Sequence, residues 1–274
     1  MPTHQDGFTT VNGLRLHYLD WGTAGKPPMI LLHGGSAYAH WWDCIAPAFV
    51  SAFHVVVPDQ RGHGESDHTE PPAYGTRHYV ADLRQFVTTL GLHKPVLIGH
   101  SMGGHNSLIY GTQYAHDLAA LILVDTPASY SEGATRFLAK LGAQSAREFS
   151  SLAEAVGTFR LMPRETLTSE DRLRTLAAYA FTQLPSGKWT AKMDRRTLFR
   201  EPIDGRPLLS QITCPTLIVR AEHSPVLSSN KLSTIMVSLP NGRWVEVKDC
   251  YHHIMLDNPT GLIQAVQRFL AEVL

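Results

Sequence analysis

Short, continuous runs of apolar residues recur along this chain, and each run ends in small or polar residues. The clearest six are "MILLHGG" (29–35), "HVVVPDQRGHG" (54–64), "VLIGHSMGG" (96–104), "LILVDTPAS" (121–129), "TLIVRAE" (216–222) and "RWVEVKD" (243–249). Runs of this length without polar alternation are typical of parallel strands that are buried on both faces. Amphipathic helical patterns lie between them, so the sequence predicts an α/β fold with a mainly parallel, twisted sheet flanked by helices.

Two shorter alternating segments, "FTTV" and "LRLHYLDW", precede these runs, and Asn12-Gly13 joins them. Asn-Gly between alternating segments is a strong hairpin signal, which raises the predicted sheet to about eight strands. At the other end of the chain, Asn258 and Pro259 precede an apolar stripe at helical spacing. They are typical of the cap and the first residue of a helix.

The alternation of strand and helix patterns stops between residues 126 and 206. This stretch holds 13 of the 24 basic residues and 9 of the 24 acidic ones, so it differs in charge from the rest of the chain. We therefore predict an α/β core made of residues 1–125 and 207–274. A helical cap, residues 126–206, is predicted to be inserted between the sixth and seventh core strands.

The overall charge excludes several classes of partner. Lys plus Arg equals Asp plus Glu at 24 each, which argues against nucleic acid or an anionic membrane as the main partner. The apolar runs are too short to span a bilayer. The three cysteines are far apart, and the polar start "MPTHQDGFTT" lacks the pattern of a secretion signal. We expect a cytoplasmic protein.

Sequence patterns for cofactors and metals are missing. There is no G-x-G-x-x-G or Walker loop for a nucleotide and no H-E-x-x-H spacing for a metal. We therefore expect no cofactor and no metal.

Ser101 in "GHSMGG" is the first candidate for chemistry. It follows a predicted strand and precedes a predicted helix, at the edge where α/β sheets bind their ligands. Gly99 and Gly103 permit the tight turn that would expose its hydroxyl, and the helix start offers backbone N–H groups to an oxyanion. A serine hydroxyl also needs a base, and "DCYHHIMLDNP" supplies histidines between the last strand and the last helix.

These motifs together resemble those of the α/β-hydrolase fold superfamily, over essentially the whole chain. The matching segments are "LLHGGS", "VVVPDQRGHGES", "GHSMGG", "LILVD" and the His-x-x-x-x-Asp-x-Pro ending. The chain is most similar to serine esterase-like members with an inserted cap. The resemblance implies Ser101 as the nucleophile and His252 as the base, with His253 as a structural neighbour.

The same resemblance implies a backbone oxyanion hole. In this fold it uses the amide after the nucleophile, here Met102, and one from the loop after the third strand, here Gly35 with Ser36 as the alternative. Trp41 and Trp42 follow that loop in "AHWW". They either pack the first helix on the core or line the acyl pocket, and we retain both as pocket candidates.

The sequence departs from the family at the catalytic acid. Many relatives carry an Asp just after the seventh strand, whereas this chain has Ser224 and Pro225 there. A neutral substitute for the acid costs on the order of 10⁴ in turnover, so a carboxylate is expected elsewhere. Asp125 at the end of the sixth strand is the prediction, Glu222 is the alternative, and Asp249 is a more distant third.

The predicted function is hydrolysis of small to medium carboxylic esters, lactones included, through an acyl-enzyme. A small-molecule ester would then be the substrate. A carbon–carbon bond hydrolase or an amidase would use the same three residue types. A ligand-binding receptor or degenerate scaffold without turnover is the alternative of another class. Haloalkane dehalogenases and epoxide hydrolases of this fold use Asp as the nucleophile, so Ser101 argues against them.

Overall fold

The computed structural model of the protein describes residues 3–22, 24–199, 201 and 203–274. Residues 1, 2 and 23 of the predicted core and residues 200 and 202 of the predicted cap lie outside the described residues. The strands are β1 (Gln5–Val11), β2 (Leu14–Asp20), β3 (Pro28–Leu32), β4 (His54–Pro58), β5 (Val96–His100), β6 (Ala120–Val124), β7 (Glu148–Phe149), β8 (Phe181–Gln183), β9 (Trp189–Ala191), β10 (Thr216–Ala221) and β11 (Gly242–Val247).

Helices lie between several of these strands and after the last one. They are α1 (Thr76–Thr89), α2 (Ser101–Tyr114), α3 (Glu132–Gly142), α4 (Leu152–Gly157), α5 (Glu170–Ala178), α6 (Ser229–Ser238), α7 (Ile254–Asp257) and α8 (Pro259–Val273), with short 3₁₀ turns between them. Within the described ranges, no helix combines the length and apolar character needed to cross a membrane.

Eight strands form the central sheet, in the order β1-β2-β4-β3-β5-β6-β10-β11. The β1–β2 and β2–β4 pairs are antiparallel, and the remaining pairs are parallel. Every residue of β5 and β6 is buried, because one hydrophobic cluster covers each face of the sheet. The predicted α/β fold with about eight mainly parallel strands is confirmed.

Local signals in the sequence correspond to the observed turns and caps. Asn12 and Gly13 connect β1 to β2 with φ angles of 49° and 80°, the left-handed geometry that a two-residue hairpin turn needs. At the start of α8, the side chain of Asn258 accepts a hydrogen bond of 2.9 Å from the Gly261 amide. Both features depend on neighbouring residues only, which is why the sequence predicts them.

The segment between β6 and β10 contains the predicted cap, and it is not purely helical. Besides α3, α4 and α5 it forms a separate three-stranded antiparallel sheet in the order β7-β9-β8. The prediction that this segment is helical is therefore corrected: it contains both helices and short strands. Strands of two or three residues are too short to produce a periodic pattern, so the sequence did not indicate them. We call residues 126–206 the insertion.

Several contacts tie the insertion to the core. The Leu167 amide donates to the carboxylate of Asp257 over 2.9 Å, and the Tyr38 hydroxyl donates to the carbonyl of Leu176. The rings of His40 and Tyr179 stack with their centroids 3.7 Å apart. The insertion is thus anchored on the core near the loops that follow β3 and β11.

Candidate active site

Ser101 occupies a sharp turn between β5 and α2. Its φ angle is 50°, a left-handed value that is uncommon for a residue other than glycine. Such strain persists only where the surrounding structure imposes it, and it is typical of a serine held on a strand-to-helix turn. The residue is partly exposed, although its neighbours His100 and Met102 are buried. The turn therefore presents the Ser101 hydroxyl at the carboxyl edge of the sheet.

Two glycines make this turn possible by letting backbones approach closely. A Cβ at Gly103 would lie 2.4 Å from the carbonyl oxygen of His33, and a Cβ at Gly99 would lie 2.5 Å from the carbonyl oxygen of Gly103. Neither neighbour is a flexible side chain that could move away. The G-x-S-x-G spacing therefore has a steric cause in the packing of α2 against β3 and β5.

The register of the parallel strands brings Ser101 and Asp125 to the same edge. His100, the last residue of β5, pairs with Val124, the last residue of β6. The residues that follow each strand, Ser101 and Asp125, therefore leave the sheet side by side. In turn, Val124 pairs with Val219 of β10, so β10 continues past this level as far as Ala221.

His252 lies in the loop after β11 and is 2% exposed. Its Nδ1 lies 2.7 Å from Oδ2 of Asp125, which is fully buried. A carboxylate accepts a hydrogen bond from the Nδ1–H group, so Nε2 is the basic nitrogen of the neutral ring. Nε2 of His100 donates to the backbone carbonyl of His252 over 3.0 Å and orients this loop. Burial holds the pKa of His100 well below its ordinary value, so that ring stays neutral.

Asp125 receives two further hydrogen bonds from the end of β10. The amide of Ala221 donates to Oδ1 over 3.0 Å, and the hydroxyl of Ser224 donates to Oδ2 over 2.6 Å. The Ser224 oxygen accepts in turn from the amide of Leu227 over 2.8 Å. Ser224, one of the two positions at which an Asp was expected and is absent, is therefore a hydrogen-bond donor to the carboxylate that follows the neighbouring strand β6. The sequence did not indicate this role.

Glu222, the alternative acid, faces a different set of groups. Its carboxylate accepts from the Asp249 amide over 3.0 Å and from the Lys248 ammonium over 3.1 Å. These two donors, the amide first, hold the pKa of Glu222 below its ordinary value. Asp249, the third candidate, is exposed and supplies this amide. Among the described residues, the acidic side chain hydrogen-bonded to His252 is Asp125.

The adjacent histidine differs from His252 in its surroundings. Nε2 of His253 donates to the carbonyl of Pro163 over 3.0 Å, and its ring contacts Trp41 edge-on with the centroids 5.2 Å apart. Burial lowers the pKa of His253 to about 3, which keeps the ring neutral. These contacts connect the loop after β11 to the insertion and the core. They agree with a structural role for His253 beside His252.

Ser101 and His252 line one cavity of about 320 Å³, at the lower end of the range for small-molecule sites. Gly35 also lines it, whereas Ser36 is not among the described lining residues. Met102 follows the nucleophile in the first turn of α2, where the amides have no partner within the helix. These positions favour the Met102 and Gly35 amides over the Ser36 amide for an oxyanion.

Trp41 and Trp42 do not line this cavity among the described residues. They are 4% and 1% exposed and belong to the hydrophobic cluster on one face of the sheet. The prediction that they line the substrate pocket is therefore corrected: they pack the loop after β3 onto the core. The apolar wall of the cavity comes mostly from the insertion, with Phe137, Leu138, Met162 and Leu198.

One group of side chains in the described part of the chain has the composition of a metal site. Potential ligand atoms of His100, His252 and His253 lie within 4.8 Å of one another. Ligand nitrogens around a tetrahedral zinc ion lie about 3.3 Å apart, which is shorter than this 4.8 Å limit. Each ring already uses one nitrogen in a hydrogen bond, to the carbonyl of His252, to Asp125 and to the carbonyl of Pro163 respectively.

The family model for the alpha/beta hydrolase fold matches residues 27–259. This range contains the serine turn, the buried Asp–His pair and most of the central sheet. The protein therefore belongs to the α/β-hydrolase fold family.

Individual relatives support a hydrolase without selecting the bond that it cleaves. Epoxide hydrolase 4 of Mus musculus is 26% identical over 95% of this chain and 77% of that protein. N-formylmaleamate deformylase of Pseudomonas putida is 37% identical, over 45% of this chain and 46% of its own length. The crystal structure of an E-2-(acetamidomethylene)succinate hydrolase superposes with a TM-score of 0.82 at 22% identity, covering 98% of this chain and 99% of that one. At that identity the superposition supports the fold alone.

Proposed function

We propose that the protein is a serine hydrolase that cleaves small to medium carboxylic esters, lactones included, through an acyl-enzyme. The observation that carries this proposal is the 2.7 Å contact between Nδ1 of His252 and Asp125 beneath a cavity that Ser101 also lines. A buried carboxylate at Nδ1 orients the imidazole and stabilises the imidazolium that forms when Nε2 takes a proton.

In the proposed reaction, the hydroxyl oxygen of Ser101 attacks the ester carbonyl while Nε2 of His252 takes the hydroxyl proton. The Met102 and Gly35 amides donate to the oxyanion of the tetrahedral intermediate. His252 then gives the proton to the departing alcohol, and Ser101 remains acylated. Water, deprotonated by the same nitrogen, attacks the acyl group, and the bond to the Ser101 oxygen then breaks as His252 returns the proton to it and the acid is released. Asp125 keeps its negative charge throughout.

The insertion has a part in this proposal as a cap over the site. Phe137, Leu138 and Leu198 supply apolar side chains to the cavity, while the core supplies Ser101 and His252. An apolar wall of this kind suits the hydrocarbon part of an acyl or alcohol group. We therefore propose that the cap selects the substrate and that the core performs the chemistry.

Specific observations bear on three alternatives. Amide substrates are the second candidate, because the names of a deformylase and an (acetamidomethylene)succinate hydrolase among the relatives suggest cleavage of C–N bonds. Epoxide hydrolysis is disfavoured, since Ser101 stands where the epoxide hydrolases of this fold use Asp. The missing acid at position 224 was the one feature that favoured a scaffold without turnover, and the Asp125–His252 contact argues against it.

The setting we propose is a reducing compartment, the cytoplasm. Cys44, Cys214 and Cys250 are all free thiols. The small-molecule substrate proposed here requires neither nucleic acid nor a membrane as a partner.

The direct test is hydrolysis of p-nitrophenyl esters with acyl chains of two to eight carbons, by the wild type and by Ser101→Ala. We expect the variant to lose at least about 10⁴-fold in kcat, because the nucleophile is gone. A fluorophosphonate should label the wild type and leave the variant unlabelled. Equal turnover by both proteins would overturn the proposal. No turnover by the wild type, with p-nitroanilides hydrolysed instead, would move the assignment to an amidase.

A further inference from the structure

The cavity that contains Ser101 has one lysine and no arginine, aspartate or glutamate among its described lining residues. This lysine is Lys231, in the first turn of α6. Apart from His252, the remaining lining side chains are apolar or carry hydroxyl groups. A ligand reaching from Ser101 toward α6 would therefore meet a single cation against a neutral wall.

Lys231 is not neutralised by a carboxylate of the described chain. Its ammonium donates to the carbonyl of Val226 over 2.8 Å, and no ion pair with a described residue involves it. Other lysines do have such partners, as Lys188 has Glu148 at 2.9 Å and Lys248 has Glu246 at 2.8 Å. An ammonium has three N–H donors, so the contact with Val226 leaves two of them for a ligand.

The position of Lys231 relative to the catalytic groups is set by the segment that follows β10. This segment includes Ser224, which donates to Asp125, and continues through Pro225 and Val226, which line the cavity together with Lys231. The carbonyl of Val226 that holds the ammonium belongs to the same segment. The cation is thus held at a fixed side of the cavity that contains the proposed nucleophile.

Lys231 is exposed, so it stands where the cavity opens to solvent and not on its buried floor. A cation in that position pairs with an anion at the far end of a bound molecule, while the neutral part of that molecule packs against the apolar wall. A carboxylate at the end of a short acyl chain would supply this anion, and the rest of the chain would remain apolar. Its two oxygens can accept hydrogen bonds from both remaining N–H groups of the ammonium.

We propose that Lys231 binds a carboxylate of the substrate, so that the preferred substrates carry a free carboxylate a few bonds from the scissile carbonyl. Half esters of short dicarboxylic acids are the simplest members of this class. The inference rests on the proposed function of Ser101 and adds to it the charge and the shape of the substrate.

The test compares two esters of equal chain length, mono-p-nitrophenyl glutarate and p-nitrophenyl pentanoate. We expect the wild type to prefer the glutarate, measured as the ratio of the two kcat/KM values. Lys231→Met should lower this ratio about tenfold, because a charge-assisted hydrogen bond is lost. Lys231→Glu should lower it further, and Lys231→Arg should restore most of it.

The matched control is Lys140→Met, which removes a positive charge from an exposed site on α3 that does not line the cavity. It should leave the ratio unchanged, which separates a local effect from one of net charge. A ratio that is equal in the wild type and Lys231→Met, with hydrolysis that depends on Ser101, would overturn the inference and leave the proposed function intact.

A second measurement is independent of turnover. Monomethyl glutarate is titrated into Ser101→Ala and into the double variant Ser101→Ala/Lys231→Met. About tenfold weaker binding by the double variant supports the inference even if ester hydrolysis fails. Equal binding by the two proteins contradicts it.

Discussion

The carboxyl ends of β6 and β10 each carry an acidic residue, and the two carboxylates have opposite surroundings. Asp125 is fully buried and is hydrogen-bonded by the Ala221 amide, by Ser224 and by His252. The side chain of Glu222 is 28% exposed and is occupied by Lys248 and the Asp249 amide. The two residues follow adjacent parallel strands, yet one faces the imidazole and the other faces solvent and the end of β11.

This difference arises because Asp125 meets both the segment after β10 and the loop that carries His252. Ser224 follows β10, which ends at Ala221, and its hydroxyl donates to Asp125. Because β6 and β10 are hydrogen-bonded neighbours, residues that follow the two strands lie close together, and Ser224 contacts Asp125 in this way.

The largest effect that would test this comparison is expected from Asp125→Asn. The amide cannot stabilise an imidazolium and favours the wrong tautomer of His252, so kcat should fall about 10⁴-fold. The measurement is the kcat for the best p-nitrophenyl ester, with the melting temperature as a check on folding. A variant that keeps more than a tenth of the wild-type kcat would show that Asp125 is not the acid.

The control for that loss moves the carboxylate back to the neighbouring strand. In the double variant Asp125→Asn/Ser224→Asp, we expect kcat to recover at least about tenfold over the single variant, because the new carboxylate starts beside the old one. No recovery in a folded double variant would mean that the two strand ends are not equivalent positions for the acid.

A smaller effect is expected from Ser224→Ala. The buried Asp125 carboxylate loses one donor, and a tenfold lower kcat/KM, equivalent to about 1.4 kcal/mol, is the expected cost. Ser224→Thr keeps the hydroxyl and should retain most of the activity. If Ser224→Ala and Ser224→Thr have the same kcat/KM, the Ser224 hydroxyl does not act as a donor that matters for activity.

The smallest effect is expected from Glu222→Gln. Its carboxylate contacts Lys248 and Asp249 at an exposed edge, so kcat/KM should change by less than about twofold. Lys248→Met, which removes the other member of the ion pair, should behave in the same way. A loss of a hundredfold in Glu222→Gln, with Asp125→Asn active, would reverse the comparison.

Features that depend on residues close in sequence could be predicted, and they were mostly those of the core. The buried runs, the Asn12-Gly13 hairpin and the Asn258 cap each have a local physical cause. The small sheet of the insertion could not be predicted, because strands of two or three residues depend on their pairing partners.

Residues that act through distant partners were the harder part of the site. Trp41 and Trp42 lie shortly after β3 in sequence, but the side to which they turn is decided by packing against the core. Ser224 gave no sign of its role, since Asp125 lies 99 positions earlier in the chain. A hydroxyl donor to a carboxylate leaves no pattern that a single sequence can reveal.

The sequence by itself determined the parallel strands and the tight turn that presents Ser101, because each follows from short-range sterics and from the burial of continuous apolar runs. The tertiary structure alone decided which carboxylate meets His252. That contact joins residues 127 positions apart, and it depends on the register that ends β6 one residue before Asp125 and carries β10 past it. Register is a property of paired strands, so it exists only once the sheet has formed.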